Sequence, residues 1–437
     1  MTPAPMSRRR FLTALATTGA AGALGVGMAR HVFGSPSPAA TRHGPTPATG
    51  GPLVLIGLYG GNDGLNTVVP YEDPHYLAAR GTLGYGPHEV LTLGEGLGLH
   101  PNLKGLKGLW DAGRLAIVRG VGYPDPVLSH FRSMAIWQSA SPAAEVSTGW
   151  VGRWLDATGT DPLRAVSVGP TLPLLASGER TAAAAVPATS MDLPAGPGLK
   201  AAFAAMSRAP AASGLGVLGA RVLQSGSDLL EVQAVVSDAL AAQPATDLGN
   251  TNSLDAGGTA AAGGPPSGSS KSPASAPAAD NPLATQLDLV ARLIKAGVST
   301  RIYMVSLGGF DTHSAEKDTH AHLLSQLDQA VAGFLSDVST HRHGKGTVVA
   351  TFSEFGRRAA ANASAGTDHG TAAPMFVAGQ PVKGGFYGEQ PSLAALDAGN
   401  LEFTTDFRSV YATLLGPLLG YDPDAALSGR WPTLALI

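Results

Sequence analysis

Residues 53–64 read Leu53-Val54-Leu55-Ile56-Gly57-Leu58-Tyr59-Gly60-Gly61-Asn62-Asp63-Gly64, and the architecture of the chain follows from them. The first part is a continuous apolar run without the polar alternation of a strand that has one wet face. It reads as a parallel strand buried on both sides. The run stops at two glycines, which let a backbone turn sharply and approach a ligand closely. Asp63 then stands at the strand's carboxyl end with two readings open. It is either a carboxylate aimed into a cleft or part of an ordinary Gly-Asn-Asp-Gly turn.

The same arrangement recurs along the chain. Residues 301–307 run into Gly308-Gly309-Phe310-Asp311-Thr312-His313. Residues 347–352 run into Ser353-Glu354-Phe355-Gly356, with Gly366-Thr367-Asp368-His369-Gly370 a little later. Residues 115–118 form another apolar run, with Ser129-His130 beyond it at a helix start, and 165–168 form a weaker one. Between the strands lie helical patterns. Asn281-Pro282 reads as a cap with proline in the first turn, and Leu283, Leu287, Val290 and Ile294 mark one face. Strand, helix, strand in this order predicts an α/β fold with a mostly parallel central sheet flanked by helices on both faces. In such sheets ligands bind at the carboxyl edge of the strands, where these clusters would gather.

Each cluster carries a structural reading beside the chemical one. Ser129 is a natural N-cap, or a hydroxyl activated by the helix dipole and a neighbouring metal. His130 is a substrate donor or a surface residue. Asp311 and His313 are alternate residues of an extended segment and point to one side, as a ligand pair would. Glu354, Asp368 and His369 are solvated loop residues if taken singly and metal ligands if taken together. Arg357 and Arg358 pair with Glu354 or bind an anion. His320 and His322 read as helix-surface residues, with His320 able to reach the cleft edge.

Composition narrows the chemistry. With 437 residues, 44% of them hydrophobic, the chain can build one large core or two ordinary ones. Lys and Arg total 29 against 32 Asp and Glu, and no basic run follows the N-terminus, so nucleic acid is not an expected partner. There is no cysteine, so any metal must be held by oxygen and imidazole nitrogen.

The two ends of the fold have distinct signatures. Ser7-Arg8-Arg9-Arg10-Phe11-Leu12 resembles the twin-arginine export motif. The weakly apolar stretch after it is shorter than the roughly 20 residues of a membrane-spanning helix. Residues 1–40 are therefore expected to be a twin-arginine signal peptide and leader, with an uncleaved anchor as the other reading. The mature protein is expected outside the cytoplasm (extracellular, cell-wall or periplasmic), delivered by the twin-arginine translocation machinery and without a stable membrane span. Residues 52–437 are expected to form a single domain. Within it, 244–279 collapse to Gly, Ala, Ser, Pro and Thr, the composition of a disordered insertion.

Taken in order, several motifs together are similar to the secreted domain-of-unknown-function 1501 family, which is related to the alkaline phosphatase and sulfatase superfamily. They are the twin-arginine motif, Gly60–Gly64, Ser129-His130-Phe131-Arg132-Ser133-Met134-Ala135-Ile136-Trp137-Gln138, Gly149-Trp150-Val151-Gly152-Arg153, Gly308–His313, Ser353–Arg357 and Gly366–Gly370. The resemblance covers about 52–435. It implies an alkaline-phosphatase-like fold with one or two divalent ions, and it supplies no physiological substrate. Carried over residue by residue, it implies one ion held by Asp311, His313 and His369 and another by Asp63, Ser129 and Glu354. Asp368 is the competing match to Glu354. The implied activity is hydrolysis of a small anionic phosphate or sulfate ester through a seryl intermediate on Ser129, with His130 beside it. Imidazole ligands favour Zn²⁺ or Mn²⁺ over Mg²⁺ or Ca²⁺. The chain departs from the superfamily pattern in an Asp-x-His spacing and in Phe355, where an imidazole would stand. Those departures leave open a single ion. They also leave open the alternative of a catalytically degenerate exported binding or assembly protein that keeps the fold, with or without a structural metal.

Overall fold

A computed structural model describes residues 50–188, 197–207, 216–243 and 281–437. The expected leader (1–40) and the expected insertion (244–279) lie outside the described residues. The described chain is built around a nine-stranded sheet. Its strands are β1 (Leu53–Tyr59), β2 (Leu115–Gly122), β3 (Ala165–Val168), β4 (Ala184–Val186), β5 (Ile302–Gly308), β6 (Val348–Phe352), β7 (Ala373–Gly379), β8 (Gly385–Tyr387) and β9 (Thr405–Asp406). Across the sheet the order is β8-β2-β7-β6-β1-β5-β3-β4, with β9 also paired to β2. β1 lies between β5 and β6 and runs parallel to both, Leu53 facing Ile302 on one side and Val348 on the other. Only β7, among the described strands of this sheet, runs antiparallel to its neighbours β2 and β6.

The unbroken apolar runs are explained by cover on both faces. Val54, Ile56 and Leu58 of β1 pack with α3 (Lys104–Asp111), α6 (Gly216–Ala242), α7 (Pro282–Lys295) and α8 (Glu316–Ser339). Leu53 and Leu55 face the other way, into a core with α4 (His130–Ser139), α5 (Trp150–Thr158) and α9 (Phe407–Thr413). Each such side chain, fully buried, contributes roughly 1.5–3 kcal/mol of transfer free energy. The helix start expected at Asn281 is present. Its side chain accepts the Ala284 N–H at 3.1 Å, Pro282 takes the first turn, and Leu283, Leu287, Val290 and Ile294 are buried. Two short helices, α1 (Gly64–Thr67) and α2 (Pro74–Arg80), follow β1 directly. No described helix is long and apolar enough to cross a membrane.

This topology brings the carboxyl ends of β1, β2, β5 and β6 to one edge, because β7 separates β2 from β6 and reverses direction between them.

Candidate metal centre

The loops leaving β1 and β5 meet closely. Gly60 has φ +115°, and a Cβ there would lie 2.4 Å from the Asp311 backbone nitrogen, so only glycine fits. Arg357, buried to 1% exposure, ties the loops together. Its guanidinium donates to the carbonyls of Gly61 (2.7 Å), Phe310 (2.9 Å), Thr367 (2.9 Å) and Gly60. It also reaches Asp311 Oδ1 at 2.8 Å. Of the two readings open for Arg357, a pair with Glu354 or an anion contact, the first is not made: its carboxylate partner is Asp311.

Around that same Oδ1 three imidazoles converge. His313 Nε2 lies at 2.9 Å, His369 Nε2 at 3.2 Å and His130 Nε2 at 3.3 Å. The Nε2 atoms of His313 and His369 are 3.0 Å apart. One donor atom from each of His130, Asp311 and His369 lies within 4.8 Å of the other two. The far sides of the rings are anchored. His369 Nδ1 donates to the Leu128 carbonyl at 2.8 Å, which can only accept. His130 Nδ1 lies 2.8 Å from Glu354 Oε1, and His313 Nδ1 lies 3.5 Å from Asp368 Oδ1. An imidazole held at one nitrogen by a carboxylate or carbonyl, with the other aimed inward, is the usual arrangement of a metal-binding histidine.

Electrostatics agree with that reading. Partial burial by itself would raise the Asp311 carboxyl. The Arg357 hydrogen bond, followed by those of His369 and the charges of Arg357 and His130, overcomes it and brings the carboxyl down to about 2. It is a permanent anion at neutral pH. His130 Nε2 is buried and has no hydrogen-bond partner. The Nε2 atoms of His130 and His369 and the ionised Asp311 oxygen, with His313 Nε2 alongside, form a donor set that a divalent ion fits.

The remaining expected site residues are placed as follows. Ser129 occupies the N-cap position of α4, is exposed, and its hydroxyl makes no capping hydrogen bond. Glu354 is 2% exposed, and its Oε1 also accepts the Gly60 N–H at 2.8 Å. It stands behind His130 rather than among the inward-facing donors, which corrects its expected role as a ligand. Asp368 stands likewise behind His313, exposed and also held by Asn362 Nδ2 at 3.2 Å, and its pKa is lowered first by that bond. Neither Glu354 nor Asp368 lies among the atoms gathered at Asp311 Oδ1.

Asp63 is the clearest correction. It is fully buried, caps α1 by accepting the Leu65 N–H, and holds Arg80 through both oxygens at 2.6 and 2.7 Å. Burial alone would raise its pKa, but the Arg80 charge and the hydrogen bonds from Glu316 and Arg80 hold it below the usual carboxylate range. Around the pair lies a second cluster. Thr367 Oγ1 donates to Glu316 Oε2 at 2.6 Å, His320 Nε2 lies 2.9 Å from Asn62 Oδ1, and His100 Nε2 lies 2.8 Å from the Tyr85 hydroxyl. Burial, then the charge of Asp63, pushes Glu316 up to about 9, so it is a neutral acid. Burial pulls His320 down to about 4 and His100 down to about 3, so both are neutral. His320, 1% exposed, is therefore not the helix-surface residue expected. Arg80, Glu316 and His100 carried no sequence signal that separates them from surface residues.

A family model described as "Protein of unknown function (DUF1501)" matches residues 118–431, most of the chain, and the chain belongs to that family. No curated protein matches it in sequence. Among solved structures it is similar to a 2-O GAG sulfatase, with 12% identity, a TM-score of 0.29 and coverage of 77% of this chain and 65% of that one. It is also similar to a candidate sulfatase of Bacteroides thetaiotaomicron VPI-5482, with 11% identity, a TM-score of 0.30 and coverage of 87% and 75%. The chain thus spans just under two thirds of the first of these.

Proposed function

We propose that this DUF1501 protein is a metal-dependent hydrolase of an anionic phosphate or sulfate ester, exported by the twin-arginine pathway. The convergence of His130, His313 and His369 on Asp311 Oδ1 carries the reading. A divalent ion bound there would act as a Lewis acid towards an ester oxygen. The chain's own groups supply the rest. Glu354 and the Leu128 carbonyl hold two of the rings in place. Arg357 keeps Asp311 ionised. Ser129, with a hydroxyl free of capping and next to His130, is the nucleophile. Its oxygen bonds to phosphorus or sulfur as the bond to the alcohol oxygen breaks and the hydroxyl proton passes to the departing alkoxide; water then cleaves the seryl ester, returning a proton to the serine oxygen. The N-terminus of α4 favours the negative charge of the ester. Export rests on Ser7-Arg8-Arg9-Arg10.

The withdrawal of Asp63 into the Arg80 pair favours a second reading, a binding or assembly protein that holds an ion without turnover. Elemental analysis and a panel of aryl phosphate and sulfate esters, with Ser129→Ala as control, separate the two. Metal-dependent turnover lost in Ser129→Ala supports the hydrolase. Metal without turnover, and unchanged binding of a substrate analogue by Ser129→Ala, supports the second reading. A chain that binds no divalent ion sinks the first.

A further inference from the structure

We propose that the centre takes one transition-metal ion of the Zn²⁺ class, held by Asp311 Oδ1 and the Nε2 atoms of His130 and His369 with His313 alongside, and that Arg80 removes the carboxylate a second ion would need. The proposal rests on the metal-dependent reading above and sets its stoichiometry and its cofactor class.

The donors left at the sheet edge support a single ion. Both oxygens of Asp63 are bound to Arg80 and both side chains are 0% exposed, so this carboxylate is already neutralised by an internal cation. Glu354 Oε1 accepts from the Gly60 N–H and lies against His130 Nδ1, and its Oε2 lies 3.3 Å from Ser353 Oγ. Its Oε1 is therefore already held by two donors. With Asp63 withdrawn, the residues that the superfamily resemblance allots to a second ion come down to the neutral Ser129 hydroxyl and the one less-occupied oxygen of Glu354, too few donors for a second dication.

Donor chemistry selects the ion. Imidazoles with one carboxylate suit Zn²⁺ and its transition-metal neighbours. Ca²⁺ takes six to eight oxygen ligands, and Mg²⁺ keeps an octahedral oxygen shell, neither of which this set offers.

The test counts ions. The full chain is stripped with a chelator and dialysed against excess Zn²⁺, Mg²⁺ and Ca²⁺ together, and bound ions per chain are measured by elemental analysis. Anomalous scattering from crystals locates them. The expected result is about one Zn²⁺ per chain beside Asp311, with no Mg²⁺ or Ca²⁺. The ratio should be unchanged in Asp63→Asn and lost in His369→Ala. Two ions per chain, falling to one in Asp63→Asn, overturns the proposal and leaves the metal-dependent reading standing. Preference for Ca²⁺ or Mg²⁺ overturns the cofactor class. No bound ion overturns both. Should Asp63→Asn fail to fold, the ratio in the unaltered chain decides.

Discussion

Two groups of acidic residues and histidines sit at the same edge of the sheet, and they differ in what neutralises the carboxylate at their centre. Around Asp311 one guanidinium is present, three imidazole nitrogens point at one oxygen, and the carboxylate side chain is 47% exposed. Around Asp63 a guanidinium takes both oxygens in a fully enclosed setting, and the neighbouring acid and imidazoles are uncharged. The first group leaves donor capacity directed at accessible space. The second uses its capacity internally. Residue type therefore does not distinguish a ligand set from a structural network. Burial and the identity of the counter-charge do.

The largest effect that would test this contrast is on stability. Arg80→Met leaves Asp63 as an uncompensated buried charge and should destabilise the fold by about 3–5 kcal/mol. Denaturant titration measures it, and the protein that remains folded should keep its metal. Little destabilisation together with metal loss would invert the assignment of the two groups. Conversely, His369→Ala should lower metal affinity by more than ~100-fold, beyond the range for an outer partner. Isothermal titration of the stripped chain gives the number, and an unaltered affinity would remove His369 from the centre.

Next in size is Glu354→Gln, which keeps the shape but weakens the bond to His130 Nδ1. An affinity loss of roughly 10–100-fold is expected, as for other partners of metal-bound histidines. A loss as complete as that of His369→Ala would mean that Glu354 is itself a ligand.

The smallest effect is the pH dependence of the stripped chain. His100 and His320 titrate lower in the fold than their ordinary 6.5, at about 3 and about 4. Their contribution is present above 6.5 and is lost as pH falls through that window. Glu316 titrates higher than its ordinary 4.5, at about 9. Its contribution is full below 4.5 and is lost as pH rises towards 9. Denaturation midpoints should therefore fall on both sides, and Glu316→Gln, which cannot ionise, should flatten the alkaline limb. An alkaline limb unchanged in that variant would show that Glu316 is not held neutral.

Much of the scaffold was legible because buried parallel strands leave a signature that needs no partner to be read. The runs at 53–59, 115–118, 165–168, 301–307 and 347–352 all fall on strands of the central sheet. β7 was not anticipated, and its antiparallel direction depends on pairing with β2 and β6, which no local pattern encodes. The centre was legible in part for a similar reason. Asp311 and His313 follow β5 directly, and His130 opens the helix beyond β2. The roles of Asp63 and Glu354 were not legible. Arg80 lies 17 positions from Asp63, and Glu354 meets Gly60 across 294.

Order of apolar runs, glycine pairs and strand-end polar residues determined, from the sequence by itself, an α/β sheet whose chemistry would lie at one edge. The tertiary structure alone decided which carboxylates remain available there. Availability depends on burial and on long-range partners, and a guanidinium delivered from elsewhere in the chain changes a potential ligand into a neutralised structural pair.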